Sequence, residues 1–333
     1  MADITRADAL ALLARQDINE IVKPDTAQSA ALAAFRTIRM SAGVARMPVL
    51  SALPTAGFVT DTGADTATDV KPTSKVSWTN KELIAEEIAV IVPVHENTLA
   101  DSNFDVWGEV RPLVSQEFGR VLDAAVFFGT NKPATWTDPA LVPGAIAAGN
   151  YQVLGTGDGS ADGRKDLVAD VNELFGIVED DEFDVNAAFT GRFLRRSLRG
   201  LRDDDGQPIY LDAVRSDGST ASIYGQDLRY LTNGGWDRDT AVMLAGDASK
   251  VVLGIREDVQ VKLLDQATLG TGANQINLAE RDMVALRFKF RVAFATAFST
   301  ARVGGAPTDY PFAVLTDEDP TPDDGIDDAP AAG

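Results

Sequence analysis

The sequence predicts an α+β fold, and three observations lead to it. Between Phe104 and Gly129, Val106, Trp107, Val110, Leu113, Val114, Phe118, Val121, Leu122, Ala125 and Phe128 recur with a 3.6-residue period, the mark of one long amphipathic helix. Near the end of the chain Val284, Leu286, Phe288, Phe290, Val292 and Phe294 alternate with other residues, among them Arg287, Lys289 and Arg291. That period of two predicts a half-buried strand with a basic outer row. Between residues 57 and 74 the chain reads GFVTDTGADTATDVKPTS, a polar stretch with strand-like ends and no core of its own.

Taken in order, residues 1–46 read as an N-terminal arm. Ala9, Leu10, Leu13 and Ala14 follow Thr5 as a possible N-cap, and Leu32, Phe35 and Ile38 are spaced for one helical face after Pro24. Both patterns are too short to hold a helix without docking; two ordinary helices on the main core are the alternative. Met47–Leu53 reads as a strand ended by Pro54. The polar stretch that follows, with Phe58, Val59, Val76 and Trp78 at its base, predicts an extended hairpin that packs on another surface. A free hairpin of this composition is marginal, so a surface loop is its alternative.

Ile84–Val94 is strand-like, with Pro93 near its end. In the long helix Asp105 suits the N-terminus and Gly129 the stop, while Pro112 predicts a kink or a later start. Residues 131–163, rich in Gly, Pro and Ala, read as a long connection. A second amphipathic helix is expected over 165–178 and a short strand over 183–189. Thr190 is placed to cap an Arg-rich helix with Phe193, Leu194, Leu198 and Leu201 inward. Two β-rich stretches then lead to Gly234-Gly235. Val251, Leu253, Ile255 and Val259, Val261, Leu263 alternate as strands. From Thr316 the tail is acidic and proline-rich, a composition that does not build a core.

Composition narrows the function. The 333 residues are 45% hydrophobic and 24% charged, enough for a sizeable core. No run approaches the ~18 apolar residues of a membrane span, and the N-terminus has no basic region leading into an apolar one. With no cysteine, disulfides and thiolate metal sites are excluded. Thirty basic residues stand against 50 acidic ones, a net charge of −20, which argues against a nucleic-acid reader. It is compatible with a wall that DNA slides past without being trapped.

Catalytic chemistry finds little purchase. The single histidine, His95, ends a strand beside Glu96, with no nucleophile-elbow pattern to partner it. Asp203-Asp204-Asp205-Gly206 reads as a turn, because the spacing of a calcium loop is absent. No phosphate loop occurs. No catalytic residue, cofactor site or metal site is therefore assigned. The distinctive cationic feature is the row Arg192, Arg195, Arg196, Arg199 and Arg202. It fits either a solvated face or ion pairing between copies, where the guanidinium fork is favoured.

The order of elements (arm, extended hairpin, strand, long helix, mixed centre, final strands) resembles the major capsid proteins of tailed bacteriophages, which share the Hong Kong 97 fold. The resemblance is carried first by VIVPVHENTLADSNFDVWGEVRPLVSQEFGRVLDAAVFFGTNKPATW, through Pro93-Val94, the segment from Asn97 to Ser102, and Asp123, Ala124, Ala125, Phe127, Phe128 and Gly129. LRGLRDDDGQPIYL with SIYGQDLRYL is the second match and LAGDASKVVLGIREDVQVKL the third. Asp227 departs from the family pattern, where proline is usual. Together the matches span most of residues 30–303.

The resemblance implies an N-arm over 1–46 and an extended loop over 54–80. It implies a peripheral domain from 81–133 and 241–303 around the long spine helix, an axial domain over 134–240 and an acidic, partly disordered tail over 304–333. It implies a structural protein, not an enzyme, that assembles as hexamers and pentamers into an icosahedral phage head around double-stranded DNA. Expected partners are other copies of the chain, a separate scaffolding protein, a portal, a decoration protein and DNA by non-specific proximity, with no membrane. A separate scaffold is expected because only ~46 residues precede the first strand. Assembly is expected in the host cytoplasm and residence in the virion. The interface candidates are Phe58, Val59, Val76 and Trp78 of the hairpin and Arg192, Arg195, Arg196 and Arg199 of the helix. Lys71 and Lys75 of the loop are read as solvated. An encapsulin-type compartment of the same fold is the nearest alternative, and a soluble α/β enzyme or binding module the more distant one.

Overall fold

The computed structural model describes residues 29–52, 76–101, 105–156, 167–201, 221–270, 275–298 and 309–320, with residues 54, 56, 58 and 74. In chain order the elements are α1 (Ala30–Ala34), β1 (Arg36–Arg39), β2 (Val44–Ala52), β3 (Ser77–Ile84), β4 (Glu86–His95), α2 (Glu96–Asp101) and α3 (Val106–Phe128). Then come α4 (Leu141–Ala148), β5 (Tyr151–Val153), α5 (Leu167–Asp180), β6 (Ala187–Gly191), α6 (Leu194–Gly200), β7 (Ala221–Ile223) and β8 (Gln226–Leu231). The chain continues with β9 (Met243–Gly246), β10 (Val251–Leu264), β11 (Thr268–Leu269), β12 (Ile276–Asn277), β13 (Met283–Thr296) and β14 (Phe312–Thr316).

Two sheets organise the molecule. One runs β1-β10-β13-β4, with β1 parallel to β10 and the other pairs antiparallel. The other runs β5-β14-β9-β6-β8-β7 and is covered on both faces. Alternation sorts its side chains. Phe189, Leu244, Phe312 and Val314 join the core built around α3 and β13, while Ala188, Met243, Ala313 and Leu315 join the core under α5 and α6. Burial on both faces explains why β6, β9 and β14 are dominated by apolar residues and buried throughout.

The long helix is present and runs through Pro112. The missing N–H there frees only the Gly108 carbonyl, one turn from the helix start, so the helix is not shortened. Gly129 stops it in the left-handed region at φ 75°, its N–H returning to the carbonyls of Ala124 and Ala125. Among the described residues no helix is long and apolar enough to cross a membrane.

Several expectations are corrected. The helical face through Leu32, Phe35 and Ile38 does not exist: α1 ends at Ala34, and Arg36–Arg39 extends along β10. Phe35 is drawn into a ring cluster with Phe127, Phe189 and Phe312, and pairing of β1 overrides helical spacing. The first strand of the hairpin begins at Val44, not Met47. The connection over 131–163 contains α4 and β5; Pro143 is tolerated because the third residue of a helix needs no N–H partner. Thr190 is not a cap. It lies in β6, its hydroxyl donating to the Val242 carbonyl at 2.7 Å. The segment 304–316, placed with the tail, contains the buried strand β14. With β9, it joins the sheet that contains the strands of the region expected over 134–240, while β1, placed in the arm, completes the four-stranded sheet. The Thr5–Ala14 pattern, Lys71, Lys75 and Asp203–Asp205 lie outside the described residues.

Candidate subunit interface

The hairpin β2–β3 is a separate two-stranded sheet, in register from Val44↔Ile84 to Ala52↔Ser77 with one irregularity after Leu50. Its root is anchored. Leu83 is buried with Met40, Val252, Ala293 and Ala295 on the back of the four-stranded sheet. Lys81 Nζ lies 2.9 Å from Asp138 Oδ1, and Asp138 Oδ2 accepts from the Thr296 N–H at 2.8 Å. Trp136 donates its indole N–H to the Ile84 carbonyl at 3.1 Å. Away from the root, among the described residues, Trp78 is 67% exposed and Phe58 fully exposed. Val76 is half-buried, and Val59 lies outside the described residues.

A second apolar surface follows from strand length. β1 pairs with β10 only from Val252 to Ile255, so the rest of β10 is an edge. There Val259, Val261 and Leu263 stand exposed. Cross-strand pairing puts Val261, Phe288 and Val90 in one row. Where this face meets the helices, Ser29, Leu32, Ala33, Ser115, Phe118, Gly119, Val259 and Phe290 line a groove of about 320 Å³. The other face holds the basic row seen in the sequence. Two of its three cations are paired at home: Lys289 lies 3.1 Å from Glu257 and 3.5 Å from Glu87, and Arg291 lies 3.8 Å from Glu257. The hydrogen bond from Lys289 is the main cause that holds the Glu257 carboxyl below its ordinary value.

The cationic candidates lie on α6 and, for Arg192, in the turn just before it, on the far side of the six-stranded sheet. Leu194 and Leu198 are buried, and Arg192, Arg195, Arg196 and Arg199 are exposed. Helical spacing places Arg195, Arg196 and Arg199 in one arc of about 100°, with Arg192 in the turn before it. Arg195 stacks over the Tyr230 ring, its guanidinium 5.6 Å from the centroid. The hairpin and α6 are thus not brought together; each offers its own surface. His95 ends β4 opposite Met283, on the surface. Among the described residues no group of three His, Cys, Asp or Glu side chains is placed to hold a metal.

Sequence reasoning missed one buried polar centre. Asp123 of α3 is fully buried. Its Oδ1 accepts from Ser29 Oγ at 2.6 Å and from the Ala31 N–H at 3.1 Å; its Oδ2 accepts from the Ala30 N–H at 3.0 Å and from Asn233 Nδ2 at 2.6 Å. Asp123 thereby ties the start of α1 and the turn after β8 to the spine of the molecule. Gly119 lets α1 come this close, since a Cβ there would lie 3.2 Å from the Ser29 nitrogen. The available signal was a carboxylate set within the apolar run from Val121 to Phe128.

Comparisons with known proteins agree with this geometry. The model of the Phage capsid family matches residues 11–310. The major capsid protein of Staphylococcus phage 80alpha is 28% identical over 242 residues, which is 71% of this chain and 68% of that protein. A solved structure from Microbacterium phage Oxtober96 is 73% identical, with a TM-score of 0.82 over 95% of this chain and 99% of that one. One from Mycobacterium phage Cain is 38% identical, with a TM-score of 0.80 over 95% and 98%.

Proposed function

The chain belongs to the phage capsid family, whose members build the shell of the virion from copies of themselves, and we propose how its own surfaces do this. The hairpin β2–β3 lies on a neighbouring copy, with Phe58, Val59, Val76 and Trp78 as its apolar contacts. The surface it meets is the neighbour's long helix with the adjoining edge of β10. The single observation that carries this reading is the hairpin itself: a root locked by Lys81–Asp138 and Leu83, and an exposed Trp78 beyond it. Large exposed aromatics on a rigid projection are the expected form of a contact completed by another molecule.

The copies close as hexamers and pentamers into an icosahedral head around double-stranded DNA, assembled in the host cytoplasm. The part of the arm ahead of α1 clamps adjacent copies, and Arg192, Arg195, Arg196 and Arg199 supply ion pairs within a ring. A separate scaffolding protein, a portal and a decoration protein complete the particle. With a net charge of −20 the wall does not trap the phosphates of packaged DNA. Shell energy comes from many modest burials rather than one strong site.

Negative-stain microscopy of the expressed protein, alone and with the products of its neighbouring genes, tests the reading. Closed shells containing nucleic acid are expected. Shells filled with a protein cargo would favour an encapsulin-type compartment, and a monodisperse monomer under every condition would refute assembly.

A further inference from the structure

The cationic arc of α6 stands out in a chain of net charge −20, and among the described residues no carboxylate is paired with Arg192 or Arg196. Arg199 uses its Nε to hold the Arg195 carbonyl at 3.3 Å. Arg238 adds a fifth cation next to the arc, its guanidinium 5.0 Å from the Phe193 ring centroid.

The fold delivers a complementary segment to the same place. β14 is antiparallel to β9, and β9 is antiparallel to β6, so β14 and β6 run the same way. Leu315 and Thr190 both pair with Met243, one from each side. The ends of β14 and β6 are therefore level, two strand spacings apart, or about 10 Å. α6 begins just after the end of β6. The chain leaves β14 at Asp317, where Asp317, Glu318 and Asp319 are exposed. From there to Gly333 it carries seven carboxylates and no basic residue. The stretch from Asp317 to Asp328 can span about 40 Å when extended, several times the length of α6.

We propose that the acidic C-terminal segment, Asp317–Asp328, docks on the arginine arc of α6 in its own chain. Tethering favours the partner of the same chain over that of another copy, because the strand end fixes a high effective concentration beside the helix. Arginine forks suit carboxylates, and several weak pairs in one network hold where a single exposed pair does not. This rests on the shell reading for its consequence: the surface α6 offers to a neighbour is a mixed arginine–carboxylate one.

The test uses the full-length protein carrying R192K and R196K, treated with a carbodiimide that joins carboxylates to lysine amines at zero length. The expected result is cross-linked peptides joining position 192 or 196 to residues 317–328, in a product that still runs at monomer mass on a denaturing gel. The yield should fall several-fold at 0.5 M NaCl. Links from these positions that appear only in dimers or higher ladders would overturn docking within the chain. Links to Asp203–Asp205 alone, or none, would overturn the segment's assignment. Microscopy of the same sample separates this failure from failure of the shell reading.

Discussion

Asp123 places a carboxylate where the helix buries Leu122 and Val126, and the molecule accommodates it with four donors. Burial raises its pKa above the ordinary 3.8, and the bonds from Ser29, Ala31, Ala30 and Asn233 oppose that shift without cancelling it. The sign of the linkage follows. A carboxyl with a raised folded-state pKa contributes stability that is complete below 3.8 and is lost as pH climbs through the folded value. D123N removes the titration, so the stability of wild type relative to D123N should fall as pH rises from about 4. Urea denaturation at a series of pH values reads this directly, and a difference that grows with pH would contradict it. D123A leaves the donors unsatisfied and should cost at least about 2 kcal/mol at any pH. Residues such as Asp123 are poorly legible in sequence, because what decides their role is four partners 92 to 110 positions away.

At the scale of elements, the hairpin and the edge of β10 share one property: each is well formed and only partly covered. Local pattern made the long helix, the alternating β13 and the hairpin legible, since periods of 3.6 and 2 are local signals. It failed where pairing partners decide. Arg36–Arg39 has helical neighbours in sequence but an open strand edge in space, and α4 hides behind Pro143 and Gly144. Of the interface candidates, the exposure of Trp78 and of the four arginines was legible from composition. The Lys81–Asp138 anchor that makes the hairpin stiff was not, because Asp138 is distant from Lys81 in sequence. Stiffness matters for assembly, since a preordered projection loses less entropy on docking. W78A should therefore leave the free subunit's stability within about 0.5 kcal/mol, the range for exposed positions. It should reduce shell yield several-fold, measured by sedimentation of particles against soluble subunits. A destabilised subunit with normal shells would reverse the roles assigned to this tryptophan.

The whole molecule is closed by its two ends. Phe35, from the first described strand-and-helix unit, and Phe312, from the last strand, meet 6.5 Å apart between ring centroids, with Phe127 and Phe189 beside them. Phe312 and Val314 face the core that joins both sheets, and Ala313 and Leu315 face the core under α5 and α6. β14 also lies between β5 and β9, so its loss would strand β5 and open the ladder of β9. Closure by the last strand gives the chain a sharp boundary. Truncation after Pro320 removes only residues beyond the described fold and should leave a folded subunit. Truncation after Asp309 removes four fully buried apolar side chains and a central ladder. At about 1.5–3 kcal/mol for each large side chain buried, that loss approaches or exceeds the roughly 5–15 kcal/mol by which a domain is stable. Soluble yield and circular dichroism of the two truncations should therefore split completely: a native-like spectrum for the first, and aggregate or unfolded chain for the second. A folded second truncation would mean that β14 seals an already stable sheet rather than completing it.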